Sequence, residues 1–75
     1  MDEGYILSNK YRRILFDGLS SGETDLYMIA RKHHIVLSIA RKITEDFIKQ
    51  GIVEKKNGKY VLTKEGEKIA DNIKG

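Results

Sequence analysis

Apolar residues recur at three- and four-residue spacing from Tyr11 through Ile14 and Leu15 to Leu19, and Ser8 ahead of them can accept from the free N–H groups of a first helical turn. The pattern predicts a first helix that ends in Ser20-Ser21-Gly22. Phe16 lies off the stripe, so it either covers a later element or meets a partner. The first use is favoured, because small domains wrap more than one side of a helix. Glu23-Thr24-Asp25 then offers a choice of cap, with negative charge at the positive end of a short second helix whose buried face is Leu26, Ile29 and Ala30. After Lys32-His33-His34-Ile35 the apolar phase restarts at Val36, Ile39, Ala40, Ile43 and Phe47, which places a turn near the histidines and a third helix beyond it. Lys49 and Gln50 followed by Gly51 close that helix with a basic last turn and a residue suited to the left-handed position past its end.

Past Gly51 the period changes. Ile52-Val53-Glu54-Lys55-Lys56 and Lys59-Tyr60-Val61-Leu62 flank Asn57-Gly58, the pair favoured where both residues of a two-residue turn need positive φ. The expected hairpin sets Val53 against Leu62 and Lys55 against Tyr60. Thr63 then offers a cap, Glu65 and Glu67 suit a first turn, and Ile69, Ala70 and Ile73 form the stripe of a last short helix. The order helix, helix, helix, hairpin, helix makes a mainly α chain with a small β-hairpin, an α+β class, in one domain spanning residues 1–75.

A short helix, a turn, a second helix and a two-stranded hairpin is the order of the winged helix-turn-helix, whose second helix of the pair enters the major groove of DNA. The stretch Phe47-Ile48-Lys49-Gln50-Gly51-Ile52-Val53, followed by Asn57-Gly58-Lys59-Tyr60-Val61-Leu62-Thr63-Lys64-Glu65-Gly66, resembles small archaeal and bacterial winged-helix transcription regulators of the MarR/ArsR-like superfamily. There the pattern is Leu-x-x-x-Gly-Leu-Val, a short hairpin, and Tyr-x-Leu-Thr-x-x-Gly. The resemblance reaches loosely back to Ser8 and implies a winged helix that binds duplex DNA. One departure falls at the start of helix three, where many relatives carry a Ser/Thr-rich segment and Ile35-Val36-Leu37-Ser38 leaves Ser38 alone. Relatives that dimerise through long flanking helices have extra residues at both ends, so a homodimer of this chain would use a small interface or existing faces.

At about 100° per residue, Val36, Ile39, Ala40, Ile43, Phe47 and Gln50 gather on one side of helix three, and Ser38, Arg41, Lys42, Glu45 and Lys49 on the other. Arg41 suits either a bidentate pair with guanine or a phosphate. Lys42 and Lys49 suit phosphates, and Ser38 a contact near the helix start. Glu45 either accepts from cytosine or pairs with Arg41 or Lys49. A solvated charged face is the plain alternative. Lys55, Lys56 and Lys59 surround the hairpin tip and suit sequence-independent phosphate contact, although lysines also guard exposed strand edges. Arg12, Arg13, Arg31 and Lys32 are lesser extensions of the basic surface. Leu37, Thr44 and Ile48 form a secondary apolar edge, read first as packing under the hairpin and second as a dimer contact.

Composition narrows the remaining choices. Fourteen basic and eleven acidic residues leave a net charge of +3, compatible with a polyanionic partner. At 75 residues the core is small, so self-association is one route to added stability. The absence of cysteine removes disulfides and thiolate sites, and apolar runs such as Tyr5-Ile6-Leu7 and Ile35-Val36-Leu37 are far shorter than a membrane span, so a cytoplasmic protein with no membrane partner is expected. Lys, Glu and Ile are frequent and Gln occurs once, a composition shared with proteins from hot environments. Adjacent His33 and His34 point about 100° apart on a helix and have no Cys-x-x-Cys or His-Glu-x-x-His for company, so no metal or cofactor is implied. No Gly-rich phosphate loop or nucleophile elbow is present, and catalysis is not expected. Two readings stand, with RNA binding a lesser third: a DNA-binding regulator, and alternatively a winged-helix interaction module of a transcription or replication assembly exposing Phe16, Leu37 and Ile48 as an apolar patch.

Overall fold

A computed structural model of the chain describes residues 3–74, leaving Met1, Asp2 and Gly75 outside the described residues. Five helices and a hairpin follow one another: α1 Glu3–Leu7, α2 Lys10–Ser20, α3 Leu26–Lys32, α4 Leu37–Lys49, β1 Val53–Lys56, β2 Lys59–Leu62 and α5 Lys64–Lys74. The four helices expected from the apolar spacing are α2 to α5; α1 is additional. Five residues hold no repeating stripe, and α1 contributes one buried side chain, Ile6. Ser8 belongs to the end of α1, its N–H donating to Gly4 O at 3.0 Å. Asn9 caps α2 in its place, with Oδ1 accepting from Tyr11 and Arg12 N–H at 2.9 and 3.1 Å.

Helix α2 lies at the centre and touches α1, α3, α4, α5 and β2. It buries Leu15, Phe16 and Leu19, while Tyr11, expected on the stripe, is exposed. Phe16 therefore covers a later element: its ring meets Phe47 of α4 edge-on, with centroids 6.2 Å apart. Tyr5 of α1 meets Phe47 in the same way at 6.2 Å. Such edge-to-face pairs add to area burial, so Phe47 joins three helices at one point.

The turn between α3 and α4 has no glycine, and His34 takes the left-handed conformation itself, with φ 56°. Ile35 N–H then reaches back to Ala30 O at 2.8 Å, and the Ile35 side chain is buried. Both histidines serve this turn, His33 as the residue ending α3.

Helix α4 is capped by Gln50 and followed by Gly51, whose φ of +78° suits glycine, and Ile52 N–H donates to Phe47 O at 3.1 Å. The hairpin pairs Val53 with Leu62 and Lys55 with Tyr60, the expected register, across Asn57 (φ 51°) and Gly58 (φ 80°). Tyr60 N–H donates to Thr24 O at 3.0 Å, tying β2 to the loop before α3. Thr63 caps α5, its Oγ1 accepting from Gly66 N–H at 3.1 Å.

Gly66 explains the glycine three residues beyond that threonine. A Cβ there would collide with the backbone carbonyl oxygen of Ile52 and press on Leu62 Cβ at 3.3 Å. By contrast, a Cβ on Gly18 would meet only the side chain of Ile29, which can move. Gly66→Ala is expected to destabilise the fold by about 1–3 kcal/mol, as overpacking against a fixed backbone does. Gly18→Ala should cost much less, because helix propensity offsets the crowding. Urea unfolding of the two variants measures the contrast, and equal losses would show that the α5–Ile52 contact yields.

Candidate nucleic-acid interface

The face of α4 turned outward differs from the one its apolar spacing marks. Ala40, Thr44 and Phe47 are the buried residues, with Leu37 and Ile43 packed beside them. Val36 and Ile39, expected on the inner side, are exposed. Relative to the expected stripe, the helix is turned by roughly 55°, less than the step of one residue. Thr44 permits this rotation. Its Oγ1 donates to Ala40 O at 2.8 Å, so the hydroxyl is satisfied within the helix and its methyl enters the core. Of the secondary apolar edge, Leu37 and Thr44 thus pack into the core, whereas Ile48 is exposed.

Ser38, Arg41, Lys42, Glu45 and Lys49 are all exposed on α4. Lys42 Nζ lies 3.5 Å from Asp46 Oδ1, one turn further along, in a solvent-facing pair. Glu45 makes neither of the two pairings its spacing allows. Its carboxylate remains on the outer face between Arg41 and Lys49.

Lys55, Lys56 and Lys59 are exposed on the hairpin. Lys56 Nζ lies 3.1 Å from Glu54 Oε1, an acid two residues before it on the same side of β1. Lys55 Nζ stands 5.3 Å from the centroid of the Tyr60 ring, its cross-strand partner, which steadies the amine by cation–π attraction. Lys59 is the tip lysine without such a contact among the described residues.

The helix and the hairpin are held together by a short run of backbone. Thr63 Oγ1 donates to Gly51 O at 2.6 Å, and Thr63 N–H donates to Ile52 O at 3.1 Å. Both acceptors lie just beyond Gln50, the residue that caps α4. The base of the hairpin is therefore seated on the end of the helix, and Ile52 and Val53 are buried beneath it.

Arg12 and Arg13 are used elsewhere. The Arg12 guanidinium stacks 4.1 Å from the Tyr5 ring centroid and donates to Tyr5 O at 3.2 Å, pinning α1 onto α2. Arg13 lines a cleft of about 360 Å³ between α1, α2 and α5, with Ile6, Leu7, Ile14 and Ile73 among its walls. None of the lining residues lies on α4 or the hairpin. Sequence spacing did not reveal this cleft, because two of its three walls come from the chain ends.

No protein-family model and no curated protein sequence matches the chain. Among solved structures it is similar to the quinone-bound YodB of B. subtilis, with TM-score 0.82, 17% identity, and 95% of this chain and 82% of that one covered. It is also similar to a MarR family protein of Mycobacterium tuberculosis, with TM-score 0.78 and 15% identity over 96% of this chain. The chain spans 56% of the mycobacterial protein's length. At these identities the likeness is one of fold, and it is the winged-helix fold expected from the order of elements.

Thr63→Val keeps the side-chain shape and removes the hydroxyl, leaving Gly51 O and Gly66 N–H without their partner. A loss of about 1–2 kcal/mol is expected from the missing cap and hydrogen bond. Amide exchange resolves where it falls: exchange should quicken in β2 and the first turn of α5 before α2. Uniform loosening of all elements would contradict the seat assigned to Thr63.

Proposed function

We propose that this chain is a DNA-binding transcription regulator that lays α4 in the major groove and rests the lysine-tipped hairpin on the phosphate backbone. The observation that carries this reading is the exposure of Arg41, Lys42 and Lys49 on a helix that runs directly into a hairpin bearing Lys55, Lys56 and Lys59. In a molecule 27 Å across, six cations on contiguous elements suit a surface of closely spaced phosphates. Their acidic neighbours, Asp46 and Glu54, form solvent-exposed pairs of the kind worth little in water, so phosphates can replace them at small cost. Ser38 suits a contact near the start of α4. Arg41 suits guanine or a phosphate, and Glu45 on the same face suits the amino group of cytosine.

The fold neighbours support this reading through the MarR family protein among them. The interaction-module reading has less to stand on, since of its three residues Phe16 is buried, Leu37 packs against the core and Ile48 alone is exposed. Among the described residues no helix is long and apolar enough to cross a membrane, in keeping with a regulator acting in the cytoplasm. The cleft between α1, α2 and α5 leaves α4 and the hairpin free and offers a face for a second copy of the chain. A two-fold dimer on DNA would set its α4 helices about 34 Å apart, one turn of the duplex.

Titration of duplex DNA at several salt concentrations tests the assignment. Replacing Lys55, Lys56 or Lys59 by Ala is expected to weaken binding to all sequences alike and to lower the log–log salt slope by about one each. Glu54→Gln, which frees Lys56, should strengthen binding at low salt. A slope near zero for the wild type would overturn the reading. Sedimentation at micromolar concentration, with and without a duplex, reports whether the bound species is a dimer.

A further inference from the structure

Two aliphatic side chains at the start of α4 serve neither the core nor the phosphate contacts. Val36 is 62% exposed and Ile39 40% exposed. Val36 also occupies the N-cap position and provides no side-chain hydrogen bond there, where Ser, Thr, Asp or Asn would stabilise the helix. An uncapped helix start with an exposed valine violates both helix chemistry and burial. Conflicts of that kind concentrate where a surface has a task.

The tetrapeptide Ile-Ala-Arg-Lys occurs in both α3 and α4 and sharpens the point. In α3, Ile29 and Ala30 are both buried; in α4, Ala40 is buried and Ile39 is not. Packing of α4 thus requires the alanine but leaves the isoleucine to solvent. Along the helix, the neighbours of Val36 and Ile39 on the exposed side are Ser38 and, one turn on from Ile39, Lys42. The setting is an aliphatic pair beside a hydroxyl and a cation. It matches a polyanion that displays methyl groups between its charged edges, and in the major groove that methyl is the C5 substituent of thymine.

We infer that Val36 and Ile39 determine specificity by packing on thymine C5-methyl groups, so that the preferred target carries A·T pairs beneath the first turn of α4. The inference rests on the duplex-binding reading and adds to it the chemical feature that is recognised. Burying one methyl is worth roughly a fourfold change in affinity.

The test starts from duplexes that the wild-type protein enriches from a random pool. The enriched sequence is made twice, once with thymine and once with uracil, which keeps the base pairing and lacks the methyl. About fourfold weaker binding per contacted methyl is expected for the uracil duplex, at matched salt. V36S and I39S should each reduce that preference, and the double variant should bind both duplexes equally. V36S supplies the missing cap, so it should at the same time raise the melting temperature, by roughly 4–8 °C for a domain of this size. A residue kept only for folding would move stability the other way. Equal wild-type affinity for the two duplexes, or a preference that survives the double substitution, overturns the inference while duplex binding stands. Absence of binding to any duplex overturns both.

Discussion

The carbonyl oxygens of Gly51 and Ile52 are the seat on which the geometry of the candidate interface depends. They lie just past the Gln50 cap of α4, and Thr63, at the far end of the hairpin, donates to both. The hairpin is thereby closed at its base by the backbone that ends the helix. Gly66 sits above the same Ile52 carbonyl, so close that a methyl group would not fit, which brings α5 down onto the junction. Three elements meet through main-chain atoms, and main-chain positions vary less than side-chain positions. A two-stranded hairpin alone is marginally stable. Seated in this way, its lysines take their direction from the helix.

Much of this is legible in the sequence. Asn57-Gly58 demanded a two-residue turn, and the turn set the register that pairs Val53 with Leu62. Gly51 marked the end of α4 because its left-handed φ is costly for other residues. The rotation of α4 was not legible. Counting residue types assigns Val36 and Ile39 inward and Thr44 to the margin, but a threonine that bonds its own helix at Ala40 O behaves as an apolar side chain. Type alone does not record the partner. The cap of α2 fell one residue from its expected place because Ser8 and Asn9 are both good caps, and the choice turned on α1, which is too short to show a period.

The candidate interface divides along the same line. That Arg41, Lys42, Lys49 and the hairpin lysines are exposed follows from their charge. Which acid each of them meets depends on rotamers. Asp46 lies four residues after Lys42, and Glu45 four residues after Arg41 and four before Lys49, so spacing permits all three pairs. The structure forms the first. That choice leaves Glu45 as an acid on the outer face, beside cations rather than bound to one.

The two faces of α4 can therefore be considered separately. Phe47 holds the helix from within through the edges of Tyr5 and Phe16, and Ala40 and Thr44 let it lie close to the core. None of these contacts uses an outward residue, so the outer face is free to vary without loss of the fold. Its charges are moderated: Asp46 and Glu54 offset two of the cations on contiguous elements, lowering the attraction that acts on any phosphate backbone regardless of sequence. A surface with weaker sequence-independent attraction gains more from contacts that differ between base pairs. On the duplex-binding reading proposed above, the start of α4, which has no side-chain cap and exposes Val36 and Ile39, is where such contacts would have the most to gain.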